Sequence, residues 1–203
     1  METVLLTGPK HSGKTSAGRV LAALGGAVFI DLDERIAGWT GKSPRMLYRE
    51  GPEVFRAAEA ETLKNLLGEE PAAEPGEAVK PLRIIAAGGG IIDNPAALDL
   101  IKETYPVCVV YLEVSAETAW ERIVREAGEK GELPPFLDTA NPRETHGALH
   151  ERRAAAYRAL ADITIQGESK PAEAVAEEII SLIAVPESPP PPSRRRSSSI
   201  PRQ

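Results

Sequence analysis

The sequence predicts an α/β fold, three layers of helix, sheet and helix around a five-stranded, mostly parallel sheet. The octapeptide Gly8-Pro-Lys-His-Ser-Gly-Lys-Thr15 follows the apolar run 3–7 and opens into the helix-compatible segment 16–24, so a G-x-x-x-x-G-K-T loop joins a strand to a helix. Further apolar runs at 27–30, 82–87 and 107–112 alternate with helical patterns, the order that a parallel sheet requires. Two of these runs end in Asp31-Leu-Asp33 and Gly88-Gly-Gly90, at the carboxyl ends of strands, where α/β sheets hold ligands.

The octapeptide is a P-loop. Consecutive backbone N–H groups and the positive end of a helix stabilise the charge of a diphosphate or triphosphate. Gly13 leaves the backbone bare where it wraps the phosphates, Lys14 reaches the β- and γ-phosphates, and the Thr15 hydroxyl suits Mg²⁺. His11, Ser12, Gly13, Lys14, Thr15 and Ser16 form the predicted nucleotide-binding set, with ATP and Mg²⁺ as its ligands.

Along the chain, Gly25-Gly26 stops the first helix and 27–30 reads as a short buried strand. Asp31 and Asp33 alternate, so one faces the Mg²⁺–phosphate region and the other an acceptor, while Asp33 also suits the cap of the next helix. A turn at 40–44 leads to a short helix, 45–50, and Gly51-Pro52 starts a longer one running to Leu67. On it Arg56 and Glu59 share a face and read as a surface pair. Residues 68–81 have no periodicity and read as an exposed loop. After the triple glycine, Asp93 or Asn94 with Pro95 starts a helix, 107–112 is a central strand, and Ser115 caps a helix with Ala119, Trp120, Ile123, Val124 and Ala127 inward. The polar stretch 128–140, with its glycine and prolines, reads as a lid. Asn141-Pro-Arg-Glu144 reads as a capping box, and its helix puts Arg153 and Tyr157 on one face. Residues 162–165 close the sheet and 171–184 form the last helix.

Composition bounds the function. The 203 residues predict one domain, 1–185, followed by a disordered tail, 186–203, rich in proline, serine and arginine. The net charge of -6 conceals a basic tail on a more acidic body, which argues against nucleic-acid binding. No apolar run approaches the roughly 20 residues of a membrane span, and the N-terminus predicts no cleaved signal peptide. The single cysteine, Cys108, reads as a buried hydrophobe in a reducing, cytoplasmic compartment.

With Asp31-Leu-Asp33, Phe55-Arg56, Gly88-Gly-Gly90 and Arg153-Ala-Ala-Ala-Tyr157 in this order after the P-loop, residues 1 to about 184 resemble the shikimate kinases. The resemblance implies a P-loop kinase fold, a monomer, and an enzyme of aromatic amino acid biosynthesis that transfers the γ-phosphoryl of ATP to the 3-hydroxyl of shikimate. It further implies that Asp33 binds and activates the acceptor, that Asp31 holds Mg²⁺, and that Arg56 and Arg153 clamp a carboxylate. By the same resemblance Gly89 offers backbone contacts, Glu59 orients Arg56, and Arg122 and Pro171 flank the adenine. Three features depart from the family pattern. His11 stands where glycine is usual, Pro134-Pro-Phe-Leu137 replaces a lid stretch that carries an arginine, and the acidic loop 68–81 is long. Arg125, Lys130 and Arg143 are the candidates to replace that arginine. Two alternatives accompany this reading, a kinase for another small hydroxy acid such as gluconate, and a nucleotide-binding regulator with degraded catalysis.

Overall fold

In the computed structural model, residues 3–68, 82–104 and 107–184 are described. The acidic loop beyond Gly68 and the tail 186–203 lie outside them. Five strands, β1 (Thr3–Thr7), β2 (Val28–Asp31), β3 (Arg83–Ala86), β4 (Val107–Glu113) and β5 (Ile163–Gln166), form one sheet in the order β2-β3-β1-β4-β5. All four pairings are parallel. The chain reverses its direction of winding about β1, so the loop after β1 opens beside the crevice where such sheets bind ligands.

Strand alternation divides the core. Leu5 of β1 and Ile85 of β3 face Leu32, Ile36, Leu63 and Leu66 of α2 (Leu32–Thr40) and α4 (Pro52–Gly68). Val4, Leu6, Ile84 and Val110 face the other way, onto Ala17 and Leu21 of α1 (Lys14–Gly25) and Val175 and Ile179 of α8 (Ala172–Ala184). The result is the expected three layers. α1 lies close on the sheet because Gly18 has no side chain; a Cβ there would stand 2.6 Å from the Phe29 ring.

β2 is an edge strand, not a buried one. Val28 is 46% exposed, because only β3 flanks it. The cap of α2 is Asp31, two residues earlier than the sequence predicts. Its carboxylate accepts from the N–H groups of Asp33 (3.0 Å) and Glu34 (3.4 Å), which leaves the Asp33 side chain uncommitted to capping. Ser43 caps α3 (Pro44–Glu50), and Asn94 caps α5 (Pro95–Glu103) after a single 3₁₀ turn, Ile91–Asp93.

α6 (Ala116–Lys130) runs further than expected, so the lid segment is 131–141, with its own 3₁₀ turn at Pro135–Leu137. Val124 of α6 is 44% exposed rather than inward. At the start of α7 (Pro142–Leu160) the predicted capping box does not form; Asn141 donates to the Glu144 carboxylate (3.3 Å) and caps no N–H. α7 is held to the sheet by Tyr157, whose ring stacks on Tyr111 of β4 at 5.0 Å. That contact aims Arg153, one turn earlier, at the carboxyl ends of the strands.

Candidate active site

The P-loop crosses the end of β1 with three residues at positive φ, Gly8 (140°), His11 (62°) and Gly13 (96°). A Cβ on Gly8 would stand 2.6 Å from the Leu112 carbonyl, so only glycine fits there. Nothing lies within 4 Å of a Cβ position on Gly13, which faces an open cavity of about 540 Å³. Histidine tolerates the left-handed region better than most residues, which explains how His11 keeps the loop's shape. Its Nε2 lies 2.8 Å from the Glu126 carboxylate, and its carbonyl accepts from Arg122 (2.8 Å). Burial and the Lys10 charge hold the imidazole below its usual pKa in spite of Glu126.

Lys14 is buried in the loop, where its ammonium donates to the carbonyls of Gly8 (2.9 Å) and Pro9 (2.8 Å) and to Ser12 Oγ (3.4 Å). Burial lowers its pKa to about 8, with Asp33 opposing the shift. Beside it, Thr15 Oγ1 donates to Asp31 Oδ2 at 2.9 Å. A hydroxyl and a carboxylate side by side at the edge of this cavity are oxygen donors of the kind Mg²⁺ takes together with water and phosphate. The bare cradle at Gly13 and this oxygen pair fit a Mg²⁺-bound nucleotide.

A second cavity, of about 270 Å³, lies beyond Asp33. Asp33, Gly88 and Gly89 border both cavities. The two glycines are there for space. A Cβ on Gly88 would stand 3.1 Å from Asp33 Oδ1, and one on Gly89 would stand 2.8 Å from the Lys10 amide nitrogen. Asp33 is reached by solvent through the cavities, yet protein crowds its carboxylate; that burial and the neighbouring Asp31 raise its pKa. Arg153 enters the same cavity, held by Asp93 (Nε to Oδ2 2.8 Å, Nη2 to Oδ2 2.6 Å) and by the Gly89 carbonyl (3.1 Å). Tyr157 donates to that carbonyl as well, at 2.6 Å. Burial raises the Asp93 pKa, but the hydrogen bonds and charges of Arg152 and Arg153 outweigh it and bring the carboxyl below its usual value.

Glu59, expected on the surface, is fully buried beneath this floor and accepts from Asn94 Nδ2 at 2.9 Å. No ion pair joins it to Arg56 among the described residues. Burial raises its pKa to about 7, with Asn94 opposing and the Asp33 charge adding. The folded protein therefore holds a proton that the unfolded chain releases above its ordinary carboxylate pKa, so ionising Glu59 costs stability as pH rises toward 7. Glu59→Gln is expected to raise the thermal midpoint at pH 8, by the equivalent of a few kcal/mol at most, and to leave it little changed at pH 4.5. Melting curves at the two pH values check this.

The lid closes the far side. Glu132 pairs with Arg45 (3.0 Å) and Arg49 (2.8 Å) of α3, and Arg45 also donates to the Leu133 carbonyl at 2.5 Å. Two cavities that meet at the Asp33 carboxylate and the glycine turn, one against the P-loop and one holding Arg153, suit phosphoryl transfer from one bound molecule to another.

A family model described as shikimate kinase matches residues 10–184. The chain belongs to the shikimate kinase family. A shikimate kinase of Thermus thermophilus is 35% identical over 178 residues, 87% of this chain and 87% of its own. The solved shikimate kinase from Acinetobacter baumannii in complex with shikimate aligns at 30% identity with a TM-score of 0.74, over 90% of this chain and 93% of that one. A gluconokinase from Sinorhizobium meliloti aligns over 90% of this chain and 95% of its own with a TM-score of 0.50 at 13% identity, a likeness of fold alone.

Within this shikimate kinase fold, His11, Gly13, Lys14, Thr15, Ser16, Asp31 and Arg122 surround the nucleotide cavity, with Ser12 buried beneath the loop. Asp33, Gly89 and Arg153 meet at the second cavity. Two predicted residues stand apart: Pro171 and Arg56 are exposed, and neither lines either of these two cavities. Arg122 is committed to the His11 and Glu168 carbonyls. The sequence reading missed Asp93, Arg45 and Glu132. Asp93 reads as a helix start, and the other two come together only through the packing of the lid, 87 residues apart. Among the described residues no group of three or more His, Cys, Asp or Glu could hold a metal, and no helix is long and apolar enough to cross a membrane.

Proposed function

We propose that this chain is a shikimate kinase that moves the γ-phosphoryl group of MgATP to the 3-hydroxyl of shikimate. The observation that carries the reading is the position of Asp33 at the junction of the two cavities. An acceptor hydroxyl placed there has a carboxylate beside it and the P-loop beyond it. Asp33 orients that hydroxyl and takes its proton; its raised pKa makes it a better base than an ordinary carboxylate. Thr15 and Asp31 would hold Mg²⁺, which would supply positive charge to the phosphates. Lys14 exchanges its loop carbonyls for phosphate oxygens. Arg153, with Arg56, takes the acceptor carboxylate. What supports pairing them is that Asn94 Nδ2 donates to the Arg56 carbonyl (2.8 Å) as well as to the Glu59 carboxylate (2.9 Å), which ties that turn of α4 to the floor of the cavity. Arg122 and Pro171 flank the adenine. The catalytic unit is 1–185, acting as a cytoplasmic monomer.

A coupled assay of ADP release with shikimate, gluconate or no acceptor tests the reading. Release that depends on shikimate and not on gluconate is expected; nucleotide binding without shikimate-dependent release sinks it. Arg153→Ala is expected to raise the KM for shikimate by about 10-fold or more while moving that for ATP by less than about threefold, the loss of a charge-assisted pair to one substrate only. Equal changes in both constants count against the clamp.

A further inference from the structure

We propose that Arg125 binds the transferred phosphate and supplies positive charge to it during transfer. The inference rests on the kinase reading and names a residue that the reading leaves without a role. On α6, Arg122, Arg125, Glu126 and Glu129 follow one another at i, i+3, i+4 and i+7, and all four line the nucleotide cavity. The Arg122 guanidinium is fixed to the His11 carbonyl, so this face of the helix is pinned against the P-loop. Arg125 lies one turn further along it.

The cations around that cavity differ in what already holds them. Lys10 lies 3.1 Å from Glu126, and Arg122 bonds two carbonyls. Lys14 is folded into the loop. Arg125 is exposed, and among the described residues no hydrogen bond or ion pair engages it. Its nearest acidic neighbour in sequence, Glu126, is already matched by Lys10 and His11. Adjacent residues on a helix face different ways, so Glu126 turns to Lys10 and His11, and the Arg125 guanidinium, a fork of N–H donors, stands at the wall of the nucleotide cavity. No lysine or arginine is available from residues 131–141, which cover the far side, and Arg143 is turned away onto Glu117 at 2.9 Å.

In the transfer, the bond from the γ-phosphorus to the β,γ-bridging oxygen breaks and its electron pair leaves with ADP. The bond from the acceptor oxygen to phosphorus forms, and the acceptor proton passes to Asp33. Charge spread over the equatorial oxygens is what a guanidinium stabilises at that moment.

The test compares wild type, Arg125→Ala and Arg125→Lys, with Arg143→Ala as a surface control. Arg125→Ala is expected to lower kcat by about 10²-fold or more with the KM for shikimate within about threefold. By calorimetry with Mg²⁺ present, it is also expected to weaken the preference for AMP-PNP over ADP by about 10-fold, with Arg125→Lys restoring part of each effect. A preference unchanged within twofold in Arg125→Ala overturns the proposal. Should wild type show no shikimate-dependent ADP release, the kinase reading falls and the binding comparison alone decides the role of Arg125.

Discussion

Asp33→Asn is expected to lower kcat by about 10²–10⁴-fold while leaving nucleotide binding close to wild type. The amide keeps the shape of the side chain and its place at the junction of the two cavities, but it cannot accept the acceptor proton. The pH profile separates this from a misfolded site. The working form of Asp33 is the carboxylate, and burial together with Asp31 raises its pKa. As pH falls, that carboxylate is lost earlier than an unperturbed one. The acid limb of kcat/KM in wild type therefore stands higher than an unperturbed aspartate would place it, and it is absent from the residual activity of the variant. An unchanged acid limb in Asp33→Asn rules out Asp33 as the base.

Lys14→Met is expected to cost on the order of 10²–10³-fold in kcat and to weaken ATP binding as well, because one ammonium serves both the bound phosphates and the developing charge. A second signature is independent of turnover. In the empty loop Lys14 is held near pKa 8 by burial, so close to pH 8 part of the population is neutral. Phosphate oxygens favour the ammonium and raise that pKa, so nucleotide binding near pH 8 takes up a fraction of a proton. Calorimetry of AMP-PNP binding in two buffers of different ionisation enthalpy measures the uptake. It is expected in wild type at pH 8, to fade below pH 7, and to be missing from Lys14→Met.

The parts of this molecule set by local chemistry were legible in the sequence. The P-loop is one such part, since its spacing, its flanking elements and its lysine all lie between residues 3 and 25. The parallel sheet is another, since five apolar runs between helical segments leave few topologies. What stayed hidden depends on contacts between distant segments. Glu59 sits three residues from Arg56 and reads as its surface partner, yet the fold turns it under the site toward Asn94, 35 residues away. Asp93 looks like a helix start until α7 brings Arg152 and Arg153 over it. β2 reads as buried because its residues are apolar; its edge position follows from strand order, which local composition does not encode. The cap of α2 fell to Asp31 instead of Asp33 because either aspartate satisfies the local rule, and only the end of the strand decides between them.

The absent side chain at Gly89 has a mechanical meaning. Because a Cβ there would press on the Lys10 amide, the triple-glycine turn and the P-loop touch main chain to main chain. The span from donor to acceptor is therefore gauged by two rigid backbones laid against each other, with no flexible side chain setting the gap. Side chains around the cavities can change rotamer without altering that gauge. A reaction whose rate depends on in-line alignment to within about 1 Å has its alignment built into the frame. Bulk added at this one position would shift both substrates' seats together.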